Sequence, residues 1–357
     1  MRQNPGAMRA ILISVNGLPV SHIGCYGNEW FPTHALDQLA AEGVVFDNHF
    51  ADCIGPAAAW QVWETGRFAF PGVPIDNTAT CIWSKTSKTD TSLFLVQPAD
   101  APLAASSKWQ VLPADTPREL DYAKMGLDAL VTAGTGFLRI ETDICHFLEP
   151  AADTAAGLAG AVERFDIWLN DVIQELAIRE LLGEIVLCVT AGCGQVIEPQ
   201  PGPTLCEQTI HLPLIFRLPG CKEAGRRVRP LTQPVDLPTT FGELLSIPVI
   251  AGHGHSLVPF LHGGAADVRT FAVATDAMDL ALRSREWALY LSRPAQGDGD
   301  AVRRLYAKPE DAWEVNNLAQ QHLDFAERLQ RTLLTFVEAS RAPGELVAPR
   351  LPTLDSE

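Results

Sequence analysis

The feature that most constrains the fold is an alternation between short apolar runs and longer segments with helical spacing. Residues 10–15 and 184–190 are short, largely apolar runs, as expected of strands that are covered on both faces. Residues 33–42 and 155–182 instead repeat their apolar positions at the 3.6-residue spacing of a helix. This alternation predicts an α/β fold with a mainly parallel central sheet and helices on both faces.

The remaining elements of this region are placed by the same signals. From residue 71 to residue 117 the signals are weak. We predict further strands at residues 44–50, 78–83, 92–96, 137–142 and 212–218, and further helices at residues 57–64 and 234–245.

After residue 264 short strands follow one another without intervening helices. Residues 270–275, 280–283, 287–292 and 304–306 are predicted to be antiparallel strands, and residues 323–339 a terminal amphipathic helix. We therefore divide the chain into an α/β domain (1–264), a small α+β subdomain of antiparallel sheet plus helix (265–342) and a flexible tail (343–357).

Charge limits the classes of partner. The chain has 357 residues, and 27 Lys and Arg against 43 Asp and Glu give a net charge of −16. This balance disfavours binding to nucleic acid, because its phosphates are bound by Lys and Arg. It also disfavours binding to anionic membranes. No run approaches the roughly 18 apolar residues that cross a bilayer, and we expect no secretory signal at the N-terminus. Eight cysteines without a CxxC pair then favour reduced thiols and a cytoplasmic location.

Several segments carry recognisable motifs in a fixed order. They are residues 11–27, 32–46, Thr65-Gly66-Arg67, 186–194, 211–220, 233–248 and 313–318. Together they resemble the sulfatase family within the alkaline phosphatase superfamily. The resemblance implies that family's fold, and ester hydrolysis assisted by Ca²⁺ or Mg²⁺. Residues 68–166 match poorly, in a region where sulfatases carry longer insertions, so the chain resembles a shortened member.

The chain departs from the family pattern where the resemblance implies a metal site. Sulfatases bind the cation with carboxylates from the first strand and from a later loop. Here Asn16 and Gly17 stand at the first place, and Gly192 and Cys193 at the second. A hard cation needs several anionic oxygens, and a cysteine sulfur is a soft ligand. We therefore expect no metal site of the family type and no cofactor.

The nucleophile position of the family is altered as well. Sulfatases place a Cys (converted to formylglycine), Ser or Thr at a helix start, where backbone N–H groups and the helix dipole help to hold the anion. Counting back from Thr65, this position is Pro56, and the family's anion-clamping Arg becomes Trp60. The helix start near Pro56 could still bind an anion weakly through its backbone amides.

Three residues are candidates for remnants of a catalytic site: Cys53, Asp143 and His146. Cys53 lies three residues before the nucleophile position but lacks the family's C-x-P-x-R pattern, and the alternative is a buried apolar side chain. Asp143 and His146 resemble a remnant of the family's Asp-Pro-His turn, and the alternative is an ordinary polar cluster at a strand end.

Four other polar residues have weaker functional interpretations. Asp52 is a stray carboxylate or, in the interpretation we favour, a surface charge. His253 and His255 have the H-x-H spacing that could chelate zinc, although the resemblance gives this loop no such role. Arg67 is expected to be structural and to pair with nearby backbone or a carboxylate.

Two functions follow from these observations. The first is a sulfatase-like pseudoenzyme with a binding or regulatory role, and the second is an active sulfuric- or phosphoric-ester hydrolase with a rearranged site. Ester hydrolysis on this scaffold needs a cation and an activated nucleophile. Because neither has an evident substitute, we favour the first. The sequence does not indicate a partner. The losses coincide at Asn16, Gly17, Pro56, Trp60, Gly192 and Cys193.

Overall fold

The computed structural model describes residues 8–70, 82–83, 91–98, 109–114, 119–149, 154–193, 204–250, 252–264, 266–277, 279–292, 301–342 and 346–354. Within these ranges the chain forms an eight-stranded sheet, a four-stranded sheet and a small two-stranded sheet. The predicted α/β fold with an antiparallel C-terminal sheet is therefore confirmed. No helix in these ranges is both long and apolar enough to cross a membrane.

The strands are numbered in chain order. They are β1 (Arg9–Asn16), β2 (Val44–Phe46), β3 (His49–Phe50), β4 (Ser92–Pro98), β5 (Gln110–Ala114), β6 (Gly136–Asp143), β7 (Val186–Thr190), β8 (His211–Leu212), β9 (Leu214–Arg217), β10 (Arg226–Val228), β11 (Phe271–Thr275), β12 (Asp279–Ser284), β13 (Trp287–Ser292) and β14 (Val302–Ala307). The helices are α1 (His34–Ala41), α2 (Pro56–Thr65), α3 (Leu120–Ala133), α4 (Thr154–Ile178), α5 (Glu207–Ile210), α6 (Asp236–Leu244), α7 (Val258–Leu261) and α8 (Leu323–Arg341).

The central sheet has the order β10-β2-β9-β7-β1-β6-β4-β5. Strand β1 lies between β6 and β7 and is parallel to both. Strand β9 is antiparallel to its neighbours β2 and β7. In the register of β1 and β6, Asn16 is the partner of Asp143. The carboxyl ends of these two strands therefore meet at one edge of the sheet.

Both faces of the central sheet are covered by helices. Ile11 and Ile13 of β1 pack into a core with residues of α1, α3 and α4. Ala10 and Leu12 face the other way and pack with Trp63 of α2 and with residues of α6 and α7. Because successive side chains of a strand point to opposite faces, a strand covered on both sides must be apolar throughout. This accounts for the largely apolar run at residues 10–15.

The four-stranded sheet has the order β11-β12-β13-β14 and is antiparallel throughout. Helix α8 packs on it in a third core, which also contains Cys53 and Cys193. A β-bridge between Cys53 and Thr275 joins the end of β11 to the segment before α2. The division of the chain at residues 264 and 342 stays a prediction.

The structure corrects parts of the predicted element list. Residues 44–50 form two strands rather than one, because β2 joins the central sheet whereas β3 pairs with β8. Strand β5 and helix α3 were not predicted, since their signals are weak in isolation and they form by packing beside β4 and β6. The predicted strand at 78–83 lies mostly outside the described residues.

Candidate functional site

A cavity of about 250 Å³ lies at the carboxyl ends of β1, β4 and β6, beside the start of α2. Ligands of open α/β sheets bind at this edge, outside the carboxyl ends of the strands. Three sequence-predicted elements converge here, because the lining includes residues of the first strand, of the start of α2 and of the end of β6. The cavity is lined by Asn16, Pro56, Ala59, Trp60, Gln97, Pro98, Arg139, Glu141, Thr142, Asp143 and His146.

The loop after β7 lies against the end of β1. The Cys193 thiol donates to Asn16 Oδ1 at 3.5 Å, and Gly17 N donates to the Cys193 carbonyl oxygen at 3.1 Å. Gly17 has a φ of 74°, a left-handed conformation that favours glycine. A Cβ added at Gly192 would lie 2.7 Å from Asn16 Oδ1 and 2.8 Å from Ser14 Oγ. The two altered metal positions of the sequence are thus in direct contact.

Helix α2 begins at Pro56, and no side chain caps its N-terminus. Proline lacks a backbone N–H, and it suits the first helical position because a donor there would have no partner within the helix. Trp60 lies one turn further along and lines the cavity together with Pro56 and Ala59. The predicted positions Pro56 and Trp60 are therefore brought to the same cavity as Asn16, with neither a hydroxyl nor a thiol at the helix start.

Arg139 and Glu141 form a buried ion pair on β6. The Arg139 side chain is 2% exposed and its Nε donates to Glu141 Oε1. Its guanidinium lies 4.2 Å from the ring centroid of Trp63 and 4.9 Å from that of Trp60. Burial lowers the pKa of Arg139 and raises that of Glu141, and each charge opposes the shift of the other. The guanidinium of Arg139 is therefore held by two indole rings and one carboxylate.

Asp143 and His146 also line the cavity, at the turn that follows β6. Asp143 Oδ1 accepts the N–H of Cys145 at 2.8 Å, and His146 Nδ1 accepts the N–H of Asp143 at 3.2 Å. A neutral His146 that accepts through Nδ1 carries its proton on Nε2. Part of the hydrogen-bonding capacity of both side chains is thus used to close the turn, and Nε2 of His146 remains as a donor.

Cys53 lies apart from the cavity lining. It is 1% exposed and belongs to the core beneath the C-terminal sheet. Burial raises the pKa of its thiol well above the ordinary value. The neighbouring Asp52 is 2% exposed and accepts the N–H of Val235 at 2.7 Å, so the expectation of a surface charge at Asp52 is wrong.

Arg67 and His253 contact each other. Arg67 Nη1 lies 2.9 Å from His253 Nε2, and Phe68 N donates to His253 Nδ1 at 3.2 Å. A neutral imidazole accepts through only one nitrogen, so one of the two contacts is a hydrogen bond at a time. Burial and Arg67 lower the pKa of His253 to about 4. An imidazole is thus one contact of Arg67, and its expected pairing with backbone or a carboxylate stays a prediction.

Several solved structures share the fold of this chain at low sequence identity. A phosphonate monoester hydrolase of Agrobacterium radiobacter matches with a TM-score of 0.72 and 15% identity, over 94% of this chain and 96% of that chain. A phosphonate monoester hydrolase from Silicibacter pomeroyi gives 0.72 and 15%, over 92% and 94%. A 2-O GAG sulfatase gives 0.74 and 15%, over 94% and 93%. The chain has a sulfatase-like fold. No protein-family model and no curated protein matches its sequence.

The cation that this fold implies does not fit the residues present. Asn16 Oδ1 already accepts the Cys193 thiol, and Gly192 supplies no side chain. Burial raises the pKa of Cys193 to about 12, so the sulfur keeps its proton at neutral pH. Across the described ranges, no group of three or more His, Cys, Asp or Glu side chains could hold a metal ion. A hard divalent cation needs more anionic oxygen than this sulfatase-like site offers.

The sequence did not single out Arg139, Glu141 or Gln97, which line the cavity. A signal was present for the first two, because they stand two residues apart on a strand that is otherwise largely apolar. Residues at that spacing point to the same face, so an Arg and a Glu there predict a buried pair. Gln97 gave no signal, since its position depends on how β4 packs beside β6.

Proposed function

We propose that this sulfatase-like protein is a pseudoenzyme, a binding or regulatory protein whose ligand occupies the cavity between β1, β6 and α2. The observation that carries the proposal is the close packing of Gly192 and Cys193 on Asn16. A carboxylate at position 192 would overlap the Asn16 and Ser14 side chains, so a cation ligand there is excluded by space as well as by residue type.

The protonation of the thiols supports the same proposal. Thiolates are the nucleophilic form of cysteine. Burial raises the pKa of both Cys53 and Cys193, to about 12 for Cys193. Neither sulfur is an activated nucleophile at neutral pH, and Pro56 has no nucleophilic atom at the start of α2.

The second candidate is an active ester hydrolase that uses Asp143 and His146. The observation in its favour is that both side chains line the cavity, where an imidazole and a carboxylate could act on a bound ester and water. The backbone amides at the uncapped start of α2 would bind an anion weakly in either case.

The experiment uses the full chain after treatment with EDTA. Calorimetric titration with CaCl₂ and MgCl₂ should show no stoichiometric binding at micromolar concentration, and aryl sulfates, aryl phosphates and phosphonate esters should show no turnover. Stoichiometric binding, or turnover that disappears in His146→Ala but persists in Cys53→Ala, would refute the pseudoenzyme. The latter result would establish the second candidate.

A further inference from the structure

Four side chains with oxygen acceptors lie on one face of the central sheet, where β1, β4 and β6 end. Alternate residues of a strand point to the same face. Ala10 and Leu12 of β1 pack on the α2 side of the sheet, so Asn16 points to that side as well. The register of β1, β4 and β6 places the other three side chains on that side by the same alternation. The four residues, which all line the cavity, are Asn16, Gln97, Glu141 and Asp143.

The Gln97 amide is a buried polar group without a partner. The residue is 2% exposed, and no hydrogen bond joins its side chain to the described part of the chain. Unlike the enclosed unpaired atoms of Trp60 and Arg139, its oxygen and nitrogen keep some accessible surface, and the surface that this residue reaches is that of the cavity. Buried polar groups are nearly always paired in native proteins. An unpaired amide that opens into a cavity therefore indicates a polar ligand.

The charge of the surroundings determines the charge of that ligand. Arg139 contacts Glu141 and also interacts with Glu64, so carboxylates already match its positive charge. Asp143 adds a further negative charge to the lining. The start of α2 supplies only a partial positive charge, about half a unit. The described surroundings of the cavity are therefore net negative, which favours a cationic ligand.

The acceptors suit an ammonium group better than a divalent metal ion. A primary ammonium carries one positive charge and three N–H donors. Three acceptors can meet these donors: a carboxylate oxygen of Asp143, the Gln97 oxygen, and Asn16 Oδ1, which accepts a weakly donating thiol. Ca²⁺ and Mg²⁺ need roughly six or more oxygen ligands, several of them anionic. The lining thus meets the needs of the ammonium but not those of the metal ion.

Size and polarity specify the rest of the ligand. Pro56, Ala59, Pro98 and the Trp60 ring form an apolar part of the lining. The cavity of about 250 Å³ is smaller than the roughly 300–1,000 Å³ of sites that take drug-sized ligands. The space therefore suits a small apolar body that carries one charged head.

We propose that the cavity binds a small primary amine in its ammonium form, whose N–H groups donate to Asp143, Gln97 and Asn16. The apolar body of the amine lies against the Trp60 ring and the prolines beside it. This inference rests on the proposed non-hydrolytic function, since it assigns a ligand to the same cavity.

The test is calorimetric titration of the full chain at pH 7 with four probes. Benzylamine, which is protonated at this pH, should bind saturably with one site per chain, and methylamine should bind at the same site more weakly. Benzyl alcohol has nearly the same shape without the charge, and benzoate has the opposite charge. Each of these two should bind at least tenfold more weakly than benzylamine. If either binds as tightly as benzylamine, or if benzylamine does not saturate, the inference is overturned.

Variants connect binding to the named atoms. Asp143→Asn keeps an oxygen that can accept the N–H of Cys145 but removes the charge, so it should weaken benzylamine at least tenfold and remove most of its preference over benzyl alcohol. Gln97→Leu should weaken benzylamine about threefold to tenfold. Its urea midpoint should not fall, because the amide has no partner to lose. Asp121→Asn is the matched control, since that carboxylate is 86% exposed and lies outside the lining, and it should bind benzylamine like the parent chain.

The outcomes separate this inference from the proposed function. If Asp143→Asn and Gln97→Leu keep the circular dichroism of the parent chain and bind benzylamine equally well, the assigned site is wrong. If either variant does not fold, the four probes on the parent chain decide. If the parent chain hydrolyses sulfate, phosphate or phosphonate esters, the proposed function fails whether or not benzylamine binds. If no ester is hydrolysed and benzylamine does not bind, only the ligand assignment fails.

Discussion

Placing a methyl group at Gly192 tests the central geometric claim. The new Cβ would lie 2.7 Å from Asn16 Oδ1 and 2.8 Å from Ser14 Oγ, both inside van der Waals distance. Ser14 is fully buried and Asn16 accepts the Cys193 thiol, so neither side chain can turn away without a cost. We expect Gly192→Ala to lower the free energy of unfolding by about 1–2 kcal/mol, in the lower part of the range for overpacked cores.

A double-mutant cycle identifies the cause of that loss. In a Ser14→Ala/Asn16→Ala background both crowding atoms are removed, so the cost of Gly192→Ala should fall close to zero, a coupling of about 1–2 kcal/mol. Gly183→Ala is the matched control, because a Cβ there meets no atom within 4 Å. It should leave stability unchanged or raise it by up to about 1 kcal/mol through the unfolded chain.

Urea unfolding followed by tryptophan fluorescence measures these differences, provided that the slopes of the transitions agree among the variants. If Gly192→Ala is as stable as the parent chain, the loop after β7 can move away from Asn16. Position 192 could then accept a carboxylate, and the pseudoenzyme would lose its main support.

Three further predictions concern buried polar residues. Asp166→Ala should lower the free energy of unfolding by about 1–2 kcal/mol, because its carboxylate accepts the N–H groups of Ala35 and Leu36 at the start of α1; a urea midpoint equal to the parent's would contradict this. Burial, with a smaller effect of a nearby arginine, lowers the pKa of His253 from 6.5 to about 4, so stability present above pH 6.5 is lost as the pH falls toward 4; His253→Gln should lose less over that window, and an identical pH profile of unfolding would refute the assignment. Burial raises the pKa of Asp52 well above 3.8, so its contribution to the free energy of unfolding is complete below pH 3.8 and is lost as the pH rises through the raised value. In Asp52→Asn, the unfolding midpoint should fall less steeply over that rise in pH than in the parent chain. An equal slope in the two proteins would argue against a protonated carboxyl.

The sequence by itself determined the layers of the fold. A strand that is covered on both faces has apolar residues at nearly every position. Residues 10–15 are apolar at every position except Ser14, so their sequence alone predicts such a strand. The helices that became α1, α4 and α8 were likewise predicted from spacing alone. Motif order also indicated which residues stand at the altered positions, because alignment along the chain requires no knowledge of contacts.

Tertiary structure decided what those positions do. The contact of Gly192 with Asn16, the burial of Asp52 and the stacking of Arg139 on Trp60 each join segments far apart in the chain. The distances between these segments depend on how β6, β7 and α2 pack around β1. The local sequence pattern of each element does not determine that packing. The sequence could therefore show that catalytic groups were replaced, whereas only the folded chain brought the buried Arg139, Asp143 and His146 to the same cavity.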